Sequence, residues 1–156
     1  MPEIVLTTRI PATPEACFEL SLSVDAHTAS MSASGETIVG GVASGSMKLG
    51  ETVTWRARHF GVPFRMTSRI TAYDAPHRFV DEQVSGPFKR WWHEHVFEPD
   101  GTGTVMTDRV EYQAPVPLVG RLVERAVLTR YLTRLLAERN RWILVELSGA
   151  VRRDGE

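Results

Sequence analysis

The sequence contains only one cysteine, Cys17, so no intramolecular disulfide can form. Proteins without disulfides are typical of reducing compartments. The first residues, MPEIVLTTRI, also lack the basic leader and cleavage site of a secretory signal peptide. Because Cys17 lies between apolar neighbours in a predicted helix, a buried structural thiol is favoured over a nucleophile. These features predict a cytoplasmic protein.

The sequence also lacks an excess of charge, since 18 basic and 19 acidic residues leave a net charge of -1. A nearly neutral chain has no bulk attraction to nucleic acid or to an anionic membrane. No apolar run approaches the roughly 18 residues needed to span a bilayer. A phosphate-binding loop, a nucleophile elbow and a convincing dinucleotide fingerprint are absent as well. We therefore expect no nucleic-acid partner, no stable membrane insertion and no cofactor.

The patterns that are present begin with a strand and a short helix. Residues 3–10 alternate apolar and polar positions, which is typical of a half-buried strand. Thr13 and Pro14 suit the N-cap and the first position of a helix, which we predict from about Pro14 to Leu22. Turn signals then recur at strand-length intervals as far as Ala114, which predicts an antiparallel meander of about six strands.

A helical period of 3.6 residues follows over residues 118–147 and predicts one long C-terminal helix. Arginines, Arg139 among them, fill the face that the apolar residues leave. We assign residues 1–148 to a single domain and residues 149–156 to a flexible C-terminal tail. The predicted apolar stripe comprises Leu118, Leu122, Val123, Ala126, Val127, Leu132, Leu135, Leu136, Trp142 and Ile143.

These elements predict an α+β fold, because a sheet with one buried face needs a cover and the long helix is the only element large enough. We expect the helix to lie across the concave side of the sheet. Outward arginines such as Arg56 and Arg69 then form a solvated face, with Asp81 and Glu82 among their candidate partners.

The stretch KRWWHEHVFEPDGTGTVMTDRVEY, residues 89–112, predicts a β-hairpin with an unusual set of polar groups. Its register follows from charge. One register places Glu94 opposite Arg109, whereas a shift of one residue would place Glu94 opposite Asp108, and opposed like charges are destabilising. The first register is therefore favoured, and it places His95 opposite Asp108.

This register separates two faces. Trp92 is the misfit on the outer face, where it covers a neighbouring strand or a partner chain. The inner face comprises Trp91, His93, His95, Phe97, Met106, Asp108, Val110 and Tyr112, whereas Arg90, Trp92, Glu94, Arg109 and Glu111 point outward.

Several roles are open for the inner polar groups. His95 and Asp108 are either a hydrogen-bonded pair in a structural interior or the polar anchors of an apolar ligand cavity. A histidine beside a carboxylate is also the usual composition of a general base. His93 and His95, two residues apart, have a spacing that can share a zinc ion with Asp108 as third ligand, but one strand pair supplies every candidate, so we predict no metal site.

The order of elements, together with VSGPFKRWWHEHVFEPDGTGTVMTDRVEYQAP, resembles the SRPBCC superfamily, also called START-like or helix-grip proteins. The shared motifs are a G-P-F turn, an H-x-H-x-F strand, a G-T turn and a T-D-x-V-x-Y strand. Within the superfamily, the chain is most similar to bacterial polyketide cyclase/dehydrase-like and lipid-transport-like single-domain proteins. The resemblance implies a helix-grip fold, in which a curved antiparallel sheet of six to seven strands wraps around the long helix and leaves a hydrophobic tunnel.

The resemblance implies a binding module for a small hydrophobic molecule such as a lipid, a polyketide, a sterol-like compound or an aromatic metabolite. Two alternatives remain. One is an aromatase/cyclase or dehydratase, a lyase-type enzyme in which Asp108 orients His95 as the base. The other is an interaction domain with a self-filled cavity and Trp92 at a homodimer contact, which a void below about 300 Å³ would favour. The implied ligand-binding residues are Trp55, His59, Phe64, Met66, Trp91, His93, His95, Phe97, Met106, Asp108 and Tyr112.

Overall fold

Seven antiparallel strands form a single sheet in the computed structural model, which describes residues 1–115 and 121–154. The strand order is β1-β7-β6-β5-β4-β3-β2, so each strand from β2 onward pairs with the next in sequence and β1 closes against β7. The strands are β1 Glu3–Ile10, β2 Thr37–Gly41, β3 Thr52–His59, β4 Val62–Asp74, β5 Arg78–Ser85, β6 Arg90–Asp100 and β7 Gly103–Gln113. The predicted meander of six strands after the first is confirmed.

Two short helices connect β1 to β2. The first, α1 Pro14–Leu22, has the predicted bounds, and the Thr13 side chain caps it by accepting a 3.2 Å hydrogen bond from the Ala16 amide. The second, α2 Val24–Ser30, is capped in the same way by Ser23. A 3-10 turn over Ser32–Ser34 then leads into β2.

The long helix α3 spans Arg121–Asp154, while the predicted start at Leu118 lies outside the described residues. Its 34 residues correspond to about 51 Å. Its end at Asp154 puts the domain boundary that we expected at residue 148 inside the helix. Leu122 and Val127 were expected in the buried stripe but are 82% and 55% exposed. The helix is longer than the core that it covers, since the buried apolar side chains among its described residues begin at Leu132.

The helix-grip architecture is confirmed: a curved sheet and one long helix enclose the interior. The predicted hairpin register is also confirmed, because Glu94 pairs with Arg109 and His95 pairs with Asp108 across β6 and β7. Charge complementarity between two strands was therefore sufficient to place this hairpin.

The core has two parts on either side of the polar interior. In one, the Phe18 ring on α1 packs edge-on against Phe79 and Phe97, with 5.6 Å between ring centroids in both pairs. In the other, Tyr112 packs under α3 and its hydroxyl shares a 2.7 Å hydrogen bond with Thr129. Among the described residues, no helix has the length and apolarity required to cross a membrane.

Candidate functional site

A cavity of about 360 Å³ lies between the concave face of the sheet and α3. This volume exceeds the lower limit of about 300 Å³ for small-molecule sites, so the self-filled interior of the third hypothesis is not observed. Most of the wall is apolar. Leu22, Val24, Met47, Ile70, Phe79, Phe88, Leu128, Leu132, Leu135 and Leu136 contribute to it.

Seven of the predicted ligand-binding residues line this cavity. They share the concave face of the central strands, where side chains two residues apart point the same way. These residues are Trp55 and His59 from β3, Phe64 and Met66 from β4, and Trp91, His93 and His95 from β6.

Four other predicted residues lie behind the wall, which corrects the expectation that they contact a ligand. Phe97 and Met106 are 1% and 0% exposed in the core beneath α1, and Tyr112 is buried under α3. Asp108 is fully buried among polar partners. All four side chains point to the concave side of the sheet, as predicted. Because α1 and α3 cover that part of the sheet, these side chains do not reach the cavity.

Asp108 is the centre of a buried polar cluster. His93 Nε2 donates a 2.9 Å hydrogen bond to Asp108 Oδ1. Two side chains from α3 reach the same carboxylate: Arg139 donates to Oδ1 at 3.2 Å and Asn140 donates to Oδ2 at 2.6 Å. The cluster therefore connects β6 and β7 to the covering helix.

His95 lies between two carboxylates. Its Nε2 donates a 3.0 Å hydrogen bond to Asp81 Oδ2. Its Nδ1 lies 3.0 Å from Asp108 Oδ1 but makes no hydrogen bond of good geometry within the described residues. Phe79 stacks on the imidazole with 4.1 Å between ring centroids, and the His93 ring lies 3.8 Å away. The predicted dyad of His95 and Asp108 is thus part of a larger cluster, and only His95 lines the cavity.

The position of Asp81 differs from the prediction, which placed this residue among the partners of the outward arginines. The register of β5 against β6 sets Asp81 opposite His93 and Phe79 opposite His95. Directly opposed residues share a face of an antiparallel sheet, so Asp81 faces the cavity. The direction of the Asp81 side chain could be predicted only from this register, which no pattern in the sequence specifies.

Arg139 is a second correction, because it was assigned to the exposed face of the long helix. Its side chain is 5% exposed and lines the cavity. A signal was present in the sequence: Arg139 lies seven residues after Leu132, three after Leu136 and four before Ile143, which is the helical spacing of the buried stripe. Asn140 shares this face and was also missed.

The electrostatics of the cluster favour ionised carboxylates and a neutral His93 imidazole. Burial alone raises the pKa of Asp108, but the contacts from His93 and His95 and the charge of Arg139 outweigh it, so its pKa lies well below the usual range. The pKa of Asp81 is lowered in the same way, against its burial, by His93 and His95. Burial and the neighbouring His95 lower the pKa of His93.

A second group of polar side chains lines the cavity away from this cluster. His27 on α2 lies 2.6 Å from the buried Glu36 carboxylate and packs on Trp55 with 4.4 Å between ring centroids. His59 shares a 2.7 Å hydrogen bond with the Tyr131 hydroxyl. Burial lowers the pKa of His59, and the charge of Glu36 only partly opposes this. His59 was predicted to line the cavity, but its partners Tyr131 and Glu36 were not, because they lie far from it in the sequence.

Comparison with known families agrees with this architecture. The family described as polyketide cyclase / dehydrase and lipid transport matches residues 1–141. The chain belongs to this family. No curated protein matches significantly in sequence.

Solved structures show the same fold at low sequence identity. The Zhui aromatase/cyclase from Streptomyces sp. R1128 has a TM-score of 0.79 and 15% identity, over 99% of this chain and 98% of its own. A START superfamily protein from Mycobacterium smegmatis has a TM-score of 0.72 and 10% identity, over 95% and 98%. A protein from Thermus thermophilus has a TM-score of 0.71 and 21% identity, over 93% and 99%.

We expect Asp108→Asn to destabilise the protein by about 3–5 kcal/mol, because it removes the negative charge opposite the buried Arg139. Asp100→Asn is the matched control. It disrupts an ion pair in which the Asp100 and Arg9 side chains are 48% and 79% exposed. We therefore expect the free energy of unfolding to fall by no more than about 1 kcal/mol. Urea unfolding of both variants measures the difference, and equal losses would contradict the central role of Asp108.

We also expect stability to fall on acidification from pH 7.5 to pH 5. The pKa of His93 is lower in the folded state than the value of about 6.5 in unfolded chains. The unfolded state therefore takes up the proton first, and stability that is present above about pH 6.5 is lost as the pH falls toward the folded pKa. Burial lowers the pKa of His59 too, so this residue adds a loss of the same sign.

Urea unfolding at several pH values, in buffers containing EDTA, tests this expectation. His93→Gln should lose less stability over the range than the wild-type protein does. His77→Gln, at an exposed turn, should behave as the wild type. If the free energy of unfolding of His93→Gln falls with pH as steeply as that of the wild type, His93 does not contribute to the pH dependence.

Proposed function

We propose that this protein binds a small hydrophobic molecule that carries a polar end. The supporting observation is the asymmetry of the cavity: its wall is mainly apolar, with a cluster of the half-buried Asp81 and the buried His93, His95 and Arg139 at one place. Ligand pockets commonly combine apolar walls with a few convergent polar groups. The match to a family of polyketide cyclases and lipid-transport proteins supports the same class of ligand.

The apolar wall supplies affinity in this proposal. Each 100 Å² of apolar ligand surface removed from water contributes roughly 2.5 kcal/mol before the entropy of binding is subtracted. Trp55 and Trp91, each half-buried, present large aromatic surfaces to the cavity from β3 and β6. Ligands that fill the cavity are therefore favoured over small polar metabolites.

The polar cluster orients the ligand. The hydrogen bonds that Arg139 makes to Asp108 and Asn140 use one terminal nitrogen. A guanidinium has five N–H donors in total. Because Arg139 lines the cavity, its other N–H groups are available to a carbonyl or carboxylate oxygen of the ligand. Placing that oxygen beside Arg139 leaves the apolar part of the ligand against the apolar wall.

We expect Ala57→Phe to block the cavity, because Ala57 is 7% exposed and lies in the wall. Binding of the fluorescent dye 8-anilinonaphthalene-1-sulfonate, measured by titration, should weaken at least about tenfold, since 1.4 kcal/mol of lost contact suffices. Ala137→Phe, the same substitution on the exposed face of α3, is the control and should bind as the wild type. Equal dye affinity in all three proteins would overturn the proposal.

A second candidate function is acid–base catalysis on the bound ligand. A particular observation favours it: His95 lines the apolar cavity and is held between the carboxylates of Asp81 and Asp108. This role requires the ring proton on Nδ1, beside Asp108, so that the lone pair of Nε2 can accept a proton from the carbon between two carbonyl groups, with the electron pair moving to an enolate oxygen near Arg139. Proton return to that carbon completes the exchange.

Hydrogen–deuterium exchange of 1-phenyl-1,3-butanedione in D₂O, followed by NMR, tests this candidate. We expect the protein to accelerate exchange, and His95→Gln to lose most of the acceleration, since a positioned base contributes about 10²–10⁴-fold. His77→Gln should exchange as the wild type does, and dye binding should survive in both variants. No acceleration by the wild-type protein would exclude His95 as a base toward this substrate class.

A further inference from the structure

We propose that Asp81, His93 and His95 bind a divalent transition-metal ion such as Zn²⁺ at the wall of the cavity. The three residues come from two adjacent strands, with Asp81 directly opposite His93 and His95 two residues further along β6. One donor atom from each lies within 4.8 Å of the others. The sequence predicted no metal site because Asp81 was not among the candidate ligands. Only the register of β5 against β6 shows that its side chain points into the cavity.

The donor set and its spacing suit such an ion. Two imidazole nitrogens and one carboxylate oxygen are ordinary ligands of zinc and of non-haem iron. Ligand atoms that share one tetrahedral ion at bonds of about 2.0–2.2 Å lie about 3.3–3.6 Å apart. Asp81 Oδ2 lies 3.0 Å from His95 Nε2 and 3.6 Å from His93 Nδ1. A movement of a few tenths of an ångström brings the first pair to this spacing, and the second pair already has it; the third pair, between His93 and His95, lies within 4.8 Å and must close by more.

The protons of the cluster provide the second argument. His93 Nε2 donates to Asp108, so a ring with a single proton presents the lone pair of Nδ1 to Asp81 Oδ2, another acceptor, at 3.6 Å. His95 has the same conflict: if Nε2 carries the proton toward Asp81, the buried Nδ1 presents its lone pair to Asp108 Oδ1 at 3.0 Å. Two facing acceptors in a buried site are destabilising.

A cation between His93 Nδ1, His95 Nε2 and Asp81 Oδ2 removes both conflicts at once. Each ring then carries its single proton on the nitrogen that faces Asp108, and each lone pair is used. Asp108 becomes the carboxylate behind both ligand histidines, an arrangement that fixes ring orientation and tautomer in many metal sites. Its fully buried position and its bonds to Arg139 and Asn140 hold it in place.

Charge supports the same assignment. Two carboxylates, those of Asp81 and Asp108, meet one guanidinium, that of Arg139, in this cluster. Arg139 opposes a nearby cation, but its nitrogen is directed at Asp108 Oδ1 at 3.2 Å.

The three ligand residues line the cavity, so an ion bound to them faces the same space as a hydrophobic ligand. The fourth position of a tetrahedral site would then be open, as in catalytic rather than structural zinc sites. An ion on Nε2 would prevent His95 from acting as a base, so the catalytic candidate applies to the metal-free protein. The metal proposal does not depend on the hydrophobic ligand. Dye titration in parallel separates metal binding from ligand binding, because either site can fail while the other binds.

Calorimetric titration of the full chain with Zn²⁺, after treatment with EDTA and its removal, is the first test. We expect one ion per chain, and Co²⁺ should give the intense visible absorption of a tetrahedral site. Asp81→Asn, which keeps the size of the side chain, and Asp108→Asn should each weaken binding at least about tenfold. His77→Ala removes an exposed histidine outside the cluster and should bind Zn²⁺ as the wild type.

The wild-type protein alone provides a further test, which remains valid if a variant does not fold. In ¹⁵N-labelled protein, Zn²⁺ should shift the imidazole signals of His93 and His95, with coordination through Nδ1 of His93 and Nε2 of His95. His27, His59 and His77 should remain unshifted. Absence of stoichiometric binding, binding that Asp81→Asn leaves unchanged, or shifts at His77 alone would overturn the proposal, the last showing adventitious surface binding only.

Discussion

The structure depends on one buried carboxylate. Asp108 is fully enclosed, and an ionised group in that position is stable only with partners that compensate for its lost hydration. His93 on the neighbouring strand and Arg139 and Asn140 on the covering helix supply them. These contacts tie the sheet to α3 at a defined position along the helix, because a helix shifted by one turn would present leucine or isoleucine side chains to the charge.

The same constraint explains why the interior is not filled by its own side chains. A polar cluster between sheet and helix separates the two apolar parts of the core, one around Phe18 and one around Tyr112. Aromatic and aliphatic side chains cannot pack against buried charges without leaving them unpartnered. The cavity lies beside the cluster as a result, and its wall changes from apolar to polar where Asp81 and His95 begin.

Different amounts of the site were predictable from the sequence for different physical reasons. The hairpin register followed from a local comparison, Glu94 opposite Arg109 rather than Asp108, and the structure agrees. The inward position of Arg139 was implied by its spacing from the buried leucines, but its charge led to the opposite assignment. The direction of Asp81 had no such signal, because a strand of mixed residues such as RFVDEQVS does not specify its own register.

By itself, the sequence determined the order of elements, the capped helix after β1, the period of the long helix and the two faces of the last hairpin. These properties depend on neighbours a few residues apart or on one tight turn. Only the tertiary structure decided which inward side chains reach the cavity and which are sealed behind it. That outcome depends on where α1 and α3 cross the sheet, and on pairings such as Asp81 with His93 that join separate strands. The helix positions and the strand pairings both depend on packing between residues far apart in the sequence, which local sequence patterns do not specify.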